Sequence, residues 1–177
     1  MKRYGLIGHP LKHSQSRFYF NEKFEYEGLD CRYQHFDLKS IDEIYDVMSS
    51  YPDLCGFNVT IPYKEAIIPL LDEIDPTAKE VGAVNVVRID KGKLKGYNTD
   101  VYGFNKLLER AINGKTIEHA LVLGTGGASK AVQYVLKQKG IPYSTVSRSA
   151  EKGDLTYDTL DDALLSQNLL IINTTPL

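Results

Sequence analysis

Residues 121–131 read Leu121-Val122-Leu123-Gly124-Thr125-Gly126-Gly127-Ala128-Ser129-Lys130-Ala131, an apolar strand that enters a glycine turn and then a helix. The backbone N–H groups of such a turn, together with the N-terminus of the helix, can hold a pyrophosphate. The pattern differs from G-x-G-x-x-G because Ser129 takes the third glycine position, where its small side chain still allows close helix packing. The stretch predicts a dinucleotide-binding turn, although any tight strand-to-helix turn could have these residues.

The sequence around this turn alternates strands with helices. We predict strands over 120–123, 143–146 and 169–172, and helices over 102–112, 128–139 and 160–165. Three strands alternating with helices make one half of a doubly wound domain, and a complete domain has two halves. We therefore predict an incomplete Rossmann-type dinucleotide-binding domain over residues 102–177.

The first part of the chain has an alternation of its own. We predict strands over 4–8, 33–38 and 55–59, a helix through Phe18, Phe24 and Leu29, further helices over 41–48 and 63–71, and a hairpin of 84–89 with 94–97 joined at Lys91-Gly92. Alternating strands and helices favour a parallel sheet. The sequence thus predicts an N-terminal α/β substrate domain with a mostly parallel sheet over residues 1–101.

Charge and composition exclude several classes of function. The 21 basic and 23 acidic residues nearly cancel and form no long block, so nothing favours nucleic acid or a membrane as partner. The four histidines, His9, His13, His35 and His119, lack the spacing of metal ligands. Cys31 and Cys55 form no C-x-x-C pair, which fits free thiols in a reducing cytoplasm. We expect a cytoplasmic, metal-independent protein with a small-molecule ligand.

The end of the second predicted strand of the glycine-turn domain favours one cofactor. NAD enzymes usually place an acidic residue there, whereas NADP enzymes favour a cation. This chain has Ser147-Arg148-Ser149, and the guanidinium of Arg148 suits a 2′-phosphate. The sequence therefore favours NADP, although a solvated surface arginine would look the same.

Three polar groups of residues fall at predicted strand ends or loops of the first domain. They are Ser14-Gln15-Ser16, Asn58-Val59-Thr60 and Asn98-Thr99-Asp100, with Asn85 between the last two. Polar side chains at strand ends can converge in one cleft. Taken singly, each has an ordinary explanation, since Ser14, Ser16 or Asp100 could cap a helix.

Taken together, five ordered blocks carry a resemblance to a known family. They are Gly8-His9-Pro10-Leu11-Lys12-His13-Ser14-Gln15-Ser16, Asn58-Val59-Thr60-Ile61-Pro62-Tyr63-Lys64, Gly82-Ala83-Val84-Asn85, Gly96-Tyr97-Asn98-Thr99-Asp100 and Gly124-Thr125-Gly126-Gly127-Ala128. With these blocks the chain resembles shikimate dehydrogenases. The resemblance implies NADPH-dependent reduction of 3-dehydroshikimate to shikimate in chorismate and aromatic amino-acid biosynthesis.

The resemblance also implies roles for individual residues. The implied substrate-binding residues are Ser14, Ser16, Asn58, Thr60 and Asn85. Lys64 and Asp100 are the implied catalytic pair. The candidate cofactor-binding residues are Gly124, Gly126, Gly127, Ala128, Ser147, Arg148, Ser149 and Thr174.

The implied pair suits the chemistry of alcohol oxidation. A proton must leave the oxygen while a hydride leaves the carbon for the nicotinamide. Burial would lower the pKa of Lys64, whereas a neighbouring Asp100 carboxylate would raise it, and the sequence leaves open which residue is the base. We expect Lys64 to position and polarise the reacting oxygen and Asp100 to complete the proton transfer.

The chain also departs from the family pattern. Arg17 stands where a proline is usual, Phe20 where a histidine is usual, and Ser147 where an asparagine is usual, while Asn21 is retained. The family continues beyond residues 173–177 into further strands and a substrate-binding glutamine, so we expect a C-terminally truncated chain with weak or absent activity. An open edge at 169–172 could then drive self-association, and a homodimer is one possible assembly.

Other functions remain compatible with the sequence. One is a truncated, non-catalytic protein that keeps the substrate pocket. Another is a quinate or quinate/shikimate dehydrogenase, and a third is a folate-linked dehydrogenase of similar architecture. Ser14, Ser16 and the Asn58-Val59-Thr60 stretch favour a polyhydroxylated ring over a pterin.

Overall fold

A computed structural model describes residues 1–167 and 170–175, and the contacts within the chain divide it into unit 1, Met1–Asn98, and unit 2, Thr99–Leu177. The sequence places the division near residue 101, a few residues later. The helix Asp100–Ile112 explains the difference, because it begins before residue 101 and carries this stretch into unit 2.

Unit 1 alternates strands with short helices, as the sequence predicts. Its elements are β1 Lys2–Gly8, α1 Ser16–Tyr26, β2 Cys31–Asp37, a 3-10 helix Ile41–Glu43, α2 Ile44–Ser50, β3 Leu54–Val59, α3 Tyr63–Ala66, a 3-10 helix Ile68–Leu70, β4 Glu73–Ile74, α4 Pro76–Val81, β5 Val86–Asp90 and β6 Lys93–Tyr97.

The six strands of unit 1 form one sheet in the order β2-β1-β3-β5-β6-β4. The pairs β1–β2, β1–β3 and β4–β6 are parallel, whereas β3–β5 and β5–β6 are antiparallel. The hairpin turns at Lys91 and Gly92, both with positive φ (50° and 78°), as a two-residue hairpin turn requires. The expected mostly parallel sheet is confirmed.

Both faces of the central strand β1 are covered, which explains its apolar sequence. Ile7 belongs to the main core with Phe57, Val59 and Ile44. Leu6, the preceding residue, lies on the opposite face in a second cluster, referred to below as the tyrosine cluster: Leu6, Leu11 and Tyr33, with Tyr4, Phe20 and Phe24 packed against them. Successive side chains of a strand point to opposite faces, so one strand serves both cores.

Unit 2 contains the predicted half of a doubly wound fold. Its elements are α5 Asp100–Ile112, β7 Ala120–Leu123, α6 Gly127–Gln138, β8 Tyr143–Ser147, β9 Leu155–Thr156, a 3-10 helix Tyr157–Thr159, α7 Asp162–Gln167 and β10 Leu170–Asn173. The sheet order is β10-β7-β8-β9, and every pair is parallel. β10 lies at one end of this order, at the edge the sequence expects for 169–172; Leu169 itself is outside the described residues.

Several elements differ from the sequence expectation for local reasons. The helix predicted over 63–71 is split into α3 and a 3-10 helix that contains Pro69, because proline cannot donate a backbone hydrogen bond inside a helix. The sequence analysis missed β4, α4 and β9. For α4 the sequence does contain a signal. Asp75 is the N-cap, its side chain accepts hydrogen bonds from Thr77 N and Ala78 N, and Pro76 follows it at the first helical position. Gly82 ends the helix with φ 70°.

Candidate functional site

The polar groups of unit 1 meet at one edge of its sheet. Strands β1 and β3 are parallel and end at Gly8 and Val59, while β5 runs antiparallel to β3 and therefore begins at the same edge. Backbone hydrogen bonds continue past the strand ends. Thr60 N donates to Ile7 O at 2.9 Å, and Val59 N donates to Asn85 O at 2.8 Å. The residues predicted to bind substrate from β3 and from the start of β5 are thus side by side.

The Asn58 side chain at this edge is held by hydrogen bonds at both ends of its amide. The Tyr33 hydroxyl donates a hydrogen bond of 2.7 Å to Asn58 Oδ1. Asn58 Nδ2 donates a longer one, 3.4 Å, to Asn85 O. The amide oxygen is therefore engaged within the protein, and the amide nitrogen lies toward the neighbouring loop.

Ser14 lies in the loop from β1 to α1 and Ser16 is the first residue of α1, and both are half-buried. Their hydroxyl oxygens are 3.3 Å apart, and Ser14 Oγ also accepts a hydrogen bond from Ser16 N at 3.3 Å. Ser14 thus organises the start of α1, as the capping alternative supposes, although the N-cap residue is Gln15. The arrangement brings two hydroxyls together as a pair.

Strand β2 fastens this loop with alternate side chains. His35 Nε2 accepts a hydrogen bond from Arg17 N at 3.2 Å. Asp37 accepts one from Leu11 N at 3.0 Å through Oδ2, and its Oδ1 lies 2.6 Å from His9 Nδ1. Residues two apart on a strand share a face, so His35 and Asp37 hold both ends of the loop that carries the serines.

The contacts of these two anchors perturb their titration. The backbone N–H of Leu11 and then His9 lower the pKa of Asp37. Burial, and secondly the charge of Arg17, lower the pKa of His35, while Asp37 opposes the shift. The lowered pKa favours the neutral ring of His35, the form in which Nε2 can accept the Arg17 N–H.

Two of the three departures from the family pattern lie on α1 and have defined positions. Phe20 stacks on Tyr33 with ring centroids 4.6 Å apart and an interplanar angle of 20°. Arg17 is exposed and contributes its backbone N–H to His35. The retained Asn21 pairs with the Tyr33 backbone on both sides, accepting from Tyr33 N at 2.9 Å and donating to Tyr33 O at 3.0 Å.

The two predicted catalytic residues belong to different units. Lys64 is in α3 of unit 1 and half-buried, and its carbonyl accepts a hydrogen bond from Val84 N at 2.7 Å, next to Asn85. Asp100 is the first residue of α5 in unit 2, one position inside the N-cap residue Thr99.

The glycine turn of unit 2 is built for close approach. Gly124 has φ 107°, and a Cβ there would lie 2.7 Å from Thr174 Oγ1 and 3.1 Å from Thr175 Cγ2. Thr174 Oγ1 in turn donates to Leu123 O at 2.7 Å. Only glycine fits this position, because both the backbone conformation and the adjacent β10 end forbid a side chain.

The rest of the turn leaves the N-terminus of α6 accessible. At Gly126 a Cβ would meet no heavy atom within 4 Å, and no side chain of the described residues caps the helix. The buried Ser129 donates its hydroxyl to Gly124 O at 2.6 Å. The serine in the third glycine position therefore braces the turn.

The Ser147-Arg148-Ser149 turn follows β8. Ser147 is buried, and its hydroxyl accepts a hydrogen bond from Ser149 N at 3.2 Å. The chain then folds back, so that a Cβ on Gly153 would lie 2.8 Å from Ser147 Cβ. Ser147 shapes the turn from within and Arg148 is left exposed at its tip.

Among residues 1–167 and 170–175, no group of three or more histidine, cysteine, aspartate or glutamate side chains is arranged to hold a metal ion. Within the same residues, no helix has the length and apolarity needed to cross a membrane. Cys31 and Cys55 are free thiols, both half-buried.

Comparison with known proteins decides the family. The profile of the shikimate dehydrogenase substrate binding domain matches residues 6–87. A shikimate dehydrogenase (NADP(+)) from Methanococcus maripaludis is 37% identical over 190 aligned positions, covering 99% of this chain and 68% of the relative. The chain belongs to the shikimate dehydrogenase family. A second shikimate dehydrogenase (NADP(+)), from Aquifex aeolicus, is 44% identical over 151 positions. The chain spans 56% to 68% of the length of these two relatives.

Solved structures of the shikimate dehydrogenase family have the same fold. Shikimate dehydrogenase 1 of Peptoclostridium difficile matches with a TM-score of 0.85 at 33% identity, covering 100% of this chain and 67% of that one. The Thermus thermophilus enzyme in complex with NADP(H) and shikimate matches with a TM-score of 0.80 at 30% identity, covering 99% and 69%. A quinate dehydrogenase from Corynebacterium glutamicum in complex with NAD gives 0.83 at 26%, covering 99% and 71%.

Proposed function

We propose that the chain binds shikimate through unit 1 and NADP through unit 2, and belongs to an enzyme that interconverts shikimate and 3-dehydroshikimate. The observation that carries the proposal is the backbone ladder at the sheet edge, which joins the Asn58-Val59-Thr60 stretch to Asn85 and to the end of β1. That edge also carries the family's motif residues. Relatives with 37% and 44% identity bear the name shikimate dehydrogenase (NADP(+)).

The proposed substrate site recognises a polyhydroxylated acid by neutral hydrogen bonds. Ser14 and Ser16 offer a pair of hydroxyls, each able to donate or accept, and Asn58, Thr60 and Asn85 offer further polar groups. Hydroxyls of the substrate ring can exchange their water contacts for these groups at little net cost.

Unit 2 fits a dinucleotide with a 2′-phosphate. The N-terminus of α6 has no side-chain cap among the described residues, and the space at Gly126 is open, so backbone N–H groups there can receive a pyrophosphate. Arg148 is proposed to meet the 2′-phosphate at the exposed tip of the turn that Ser147 and Ser149 shape. In this proposal Gly124 and Thr174 shape the turn, while Gly127 and Ala128 begin the helix.

The turns of unit 2 would hold NADP⁺, which would supply the hydride acceptor for the alcohol carbon of shikimate. The protein must then take the proton from the hydroxyl oxygen. We assign Lys64 Nζ to the reacting oxygen, where its hydrogen-bond donors hold and polarise it, and the Asp100 carboxylate to completing the proton transfer. The reverse direction returns that proton to the oxygen of 3-dehydroshikimate.

The test is formation of NADPH, followed by its absorbance, when shikimate and NADP⁺ are added to the chain. Turnover that requires both compounds supports the proposal. Saturable binding of shikimate without turnover favours the alternative of a substrate-binding protein. Failure to bind either compound contradicts both.

Quinate is the second candidate substrate, because a quinate dehydrogenase shares the fold at 26% identity. Quinate and shikimate are both hydroxylated ring acids, so the same hydroxyl pair could bind either. A competition titration of quinate against bound shikimate separates the two, since the preferred substrate displaces the other at lower concentration.

We further propose a cytoplasmic protein that forms a homodimer. The free thiols of Cys31 and Cys55 fit a reducing compartment, and the exposed Ile171 side chain offers apolar surface for self-association. Sedimentation of the chain at increasing concentration tests the dimer. A monomer at every concentration would contradict it.

A further inference from the structure

Tyr33 belongs to none of the family motifs, yet it contacts the proposed substrate site directly. The tyrosine lies on β2 and Asn58 on β3, with β1 between them. Tyr33 pairs with Tyr4 and Asn58 with Leu6, two positions apart on β1, so both side chains lie on the same face of the sheet. The phenol therefore reaches across β1 and donates to Asn58 Oδ1 at 2.7 Å.

Tyr33 is held in place through both its ring and its backbone. Its side chain is 3% exposed. Its ring stacks on Phe20, and its backbone N–H and carbonyl are both paired with the Asn21 amide. A side chain fixed at its ring and its backbone has little rotational freedom left, so the position of its hydroxyl is set before any ligand binds.

The hydroxyl is neutral and donates its hydrogen to Asn58 Oδ1. Burial raises the pKa of Tyr33 well above its usual range, so the phenol keeps its proton at neutral pH. A hydroxyl that points its single hydrogen at Asn58 requires an acceptor there, which is the amide oxygen. A reversed amide would set its oxygen against Asn85 O, two acceptors with no hydrogen between them, so the Asn85 carbonyl opposes reversal and the Tyr33 hydroxyl holds the amide oxygen on its own side.

We infer that Tyr33 is a positioning residue that fixes the orientation of the Asn58 amide, so that Asn58 meets the substrate as a hydrogen-bond donor through Nδ2. The inference rests on the proposed function and adds which partner donates the hydrogen in the contact between Asn58 and the substrate. An acceptor oxygen of the substrate, from a hydroxyl or the carboxylate, is the matching group. The weak 3.4 Å contact from Nδ2 to Asn85 O leaves a hydrogen to donate.

The experiment measures the dissociation constants of shikimate and NADP⁺ by calorimetry for the wild type and for Tyr33→Phe. The phenylalanine keeps the stacked ring and removes only the hydroxyl. We expect the shikimate constant to rise about 3- to 10-fold, the effect of one neutral hydrogen bond, and the NADP⁺ constant to stay unchanged. Tyr4→Phe is the matched control, because Tyr4 packs in the same tyrosine cluster without a contact to Asn58.

A double-mutant cycle shows whether Tyr33 acts through Asn58. In an Asn58→Ala background, Tyr33→Phe should no longer change the shikimate constant, because the group that it positions is gone. An equal effect in both backgrounds would overturn the inference, as would a Tyr33→Phe variant that binds shikimate as tightly as the wild type.

Nuclear magnetic resonance of the ligand-free protein separates this inference from the proposed function. The side-chain NH₂ signal of Asn58 should shift in Tyr33→Phe and stay in place in Tyr4→Phe. If the wild type bound no shikimate while the signal still shifted, the proposed function would fail and the positioning contact would stand. An unmoved Asn58 signal contradicts the positioning role whatever the ligand result.

Discussion

Units 1 and 2 both present polar groups at the carboxyl ends of parallel strands, but they do so with different parts of the chain. In unit 1 the groups are side chains that other side chains hold, as Tyr33 holds Asn58 and His35 and Asp37 hold the serine loop. In unit 2 they are backbone N–H groups at an open helix N-terminus, together with the exposed cation of Arg148.

The difference matches the chemistry of the two proposed ligands. A ring with several hydroxyls is distinguished by the direction of each hydrogen bond, so the site gains from side chains fixed in advance. A phosphate is a compact charge that accepts hydrogen bonds from any direction, so a helix N-terminus and a guanidinium suffice. Substitutions in unit 1 should therefore act on the geometry of single contacts, and those in unit 2 on backbone shape and charge.

The largest expected effect concerns the proposed chemistry in unit 1. Lys64→Ala should lower the rate of shikimate oxidation about 100-fold or more, because a positioned proton-transfer group contributes ~10²–10⁴-fold. The control is Lys79→Ala, which removes an exposed lysine on α4. Full turnover in Lys64→Ala, measured as NADPH formation, would remove Lys64 from the proposed mechanism.

In unit 2 the stability of the glycine turn should depend on the backbone conformation and the free space at Gly124. Gly124→Ala should destabilise the unit by about 1–3 kcal/mol, since alanine is strained at φ 107° and its methyl group would meet Thr174. Chemical denaturation followed by circular dichroism measures the loss.

Gly126→Ala provides the matched comparison for Gly124. Its φ is −82° and no heavy atom lies within 4 Å of the added methyl, so stability should be nearly unchanged. The methyl would nevertheless occupy the space proposed for phosphate, and NADP⁺ affinity should fall. Equal stability losses in Gly124→Ala and Gly126→Ala would contradict the claim that the fold requires glycine at 124 but not at 126.

Charge should matter at the second turn of unit 2. Arg148→Gln should weaken NADP⁺ binding about tenfold and leave NAD⁺ binding unchanged, because only NADP⁺ has the 2′-phosphate. Titration of both dinucleotides into both proteins measures the preference. A parallel loss for NAD⁺ would assign Arg148 to another part of the cofactor.

The smallest expected effect is a pH dependence in unit 1. The fold lowers the pKa of His35 from its ordinary value of 6.5 through burial and Arg17, so the neutral ring is favoured in the folded protein. This contribution to stability is fully present above pH 6.5 and is lost as the pH falls below it, toward the lowered pKa.

His35→Gln tests that assignment, because glutamine can still accept the Arg17 N–H and does not titrate. The melting temperature of the wild type should fall slightly as the pH is lowered from 7 to 5, and that of the variant should fall less. The same slope in both proteins would assign the pH dependence to other groups.

The sequence reveals the motifs of both sites but not the contacts that hold them. The glycine turn, the hairpin at Lys91-Gly92 and the strands that carry Asn58 follow from local patterns, because turn chemistry and apolar runs depend on neighbours in the chain. Tyr33 could not be identified in this way. Its partner is 25 positions away, and only the strand order β2-β1-β3 brings the two together.

The sequence alone also does not show what a residue that departs from a pattern does in the fold. Phe20 and Ser129 read as departures from a pattern, yet Phe20 stacks on Tyr33 and Ser129 braces Gly124. The two-residue strands β4 and β9 are too short to give a periodic signal, and their pairing depends on neighbouring strands.

Calorimetric titration of shikimate into the wild type and into Asn58→Ala, with Arg148→Gln as the comparison, tests the central claim most directly. The claim is that unit 1 binds the hydroxylated acid through fixed side chains. We predict one saturable site in the wild type, binding about tenfold or more weaker in Asn58→Ala, and unchanged binding in Arg148→Gln. Absence of saturable binding in the wild type, or equal binding in Asn58→Ala, would contradict the claim.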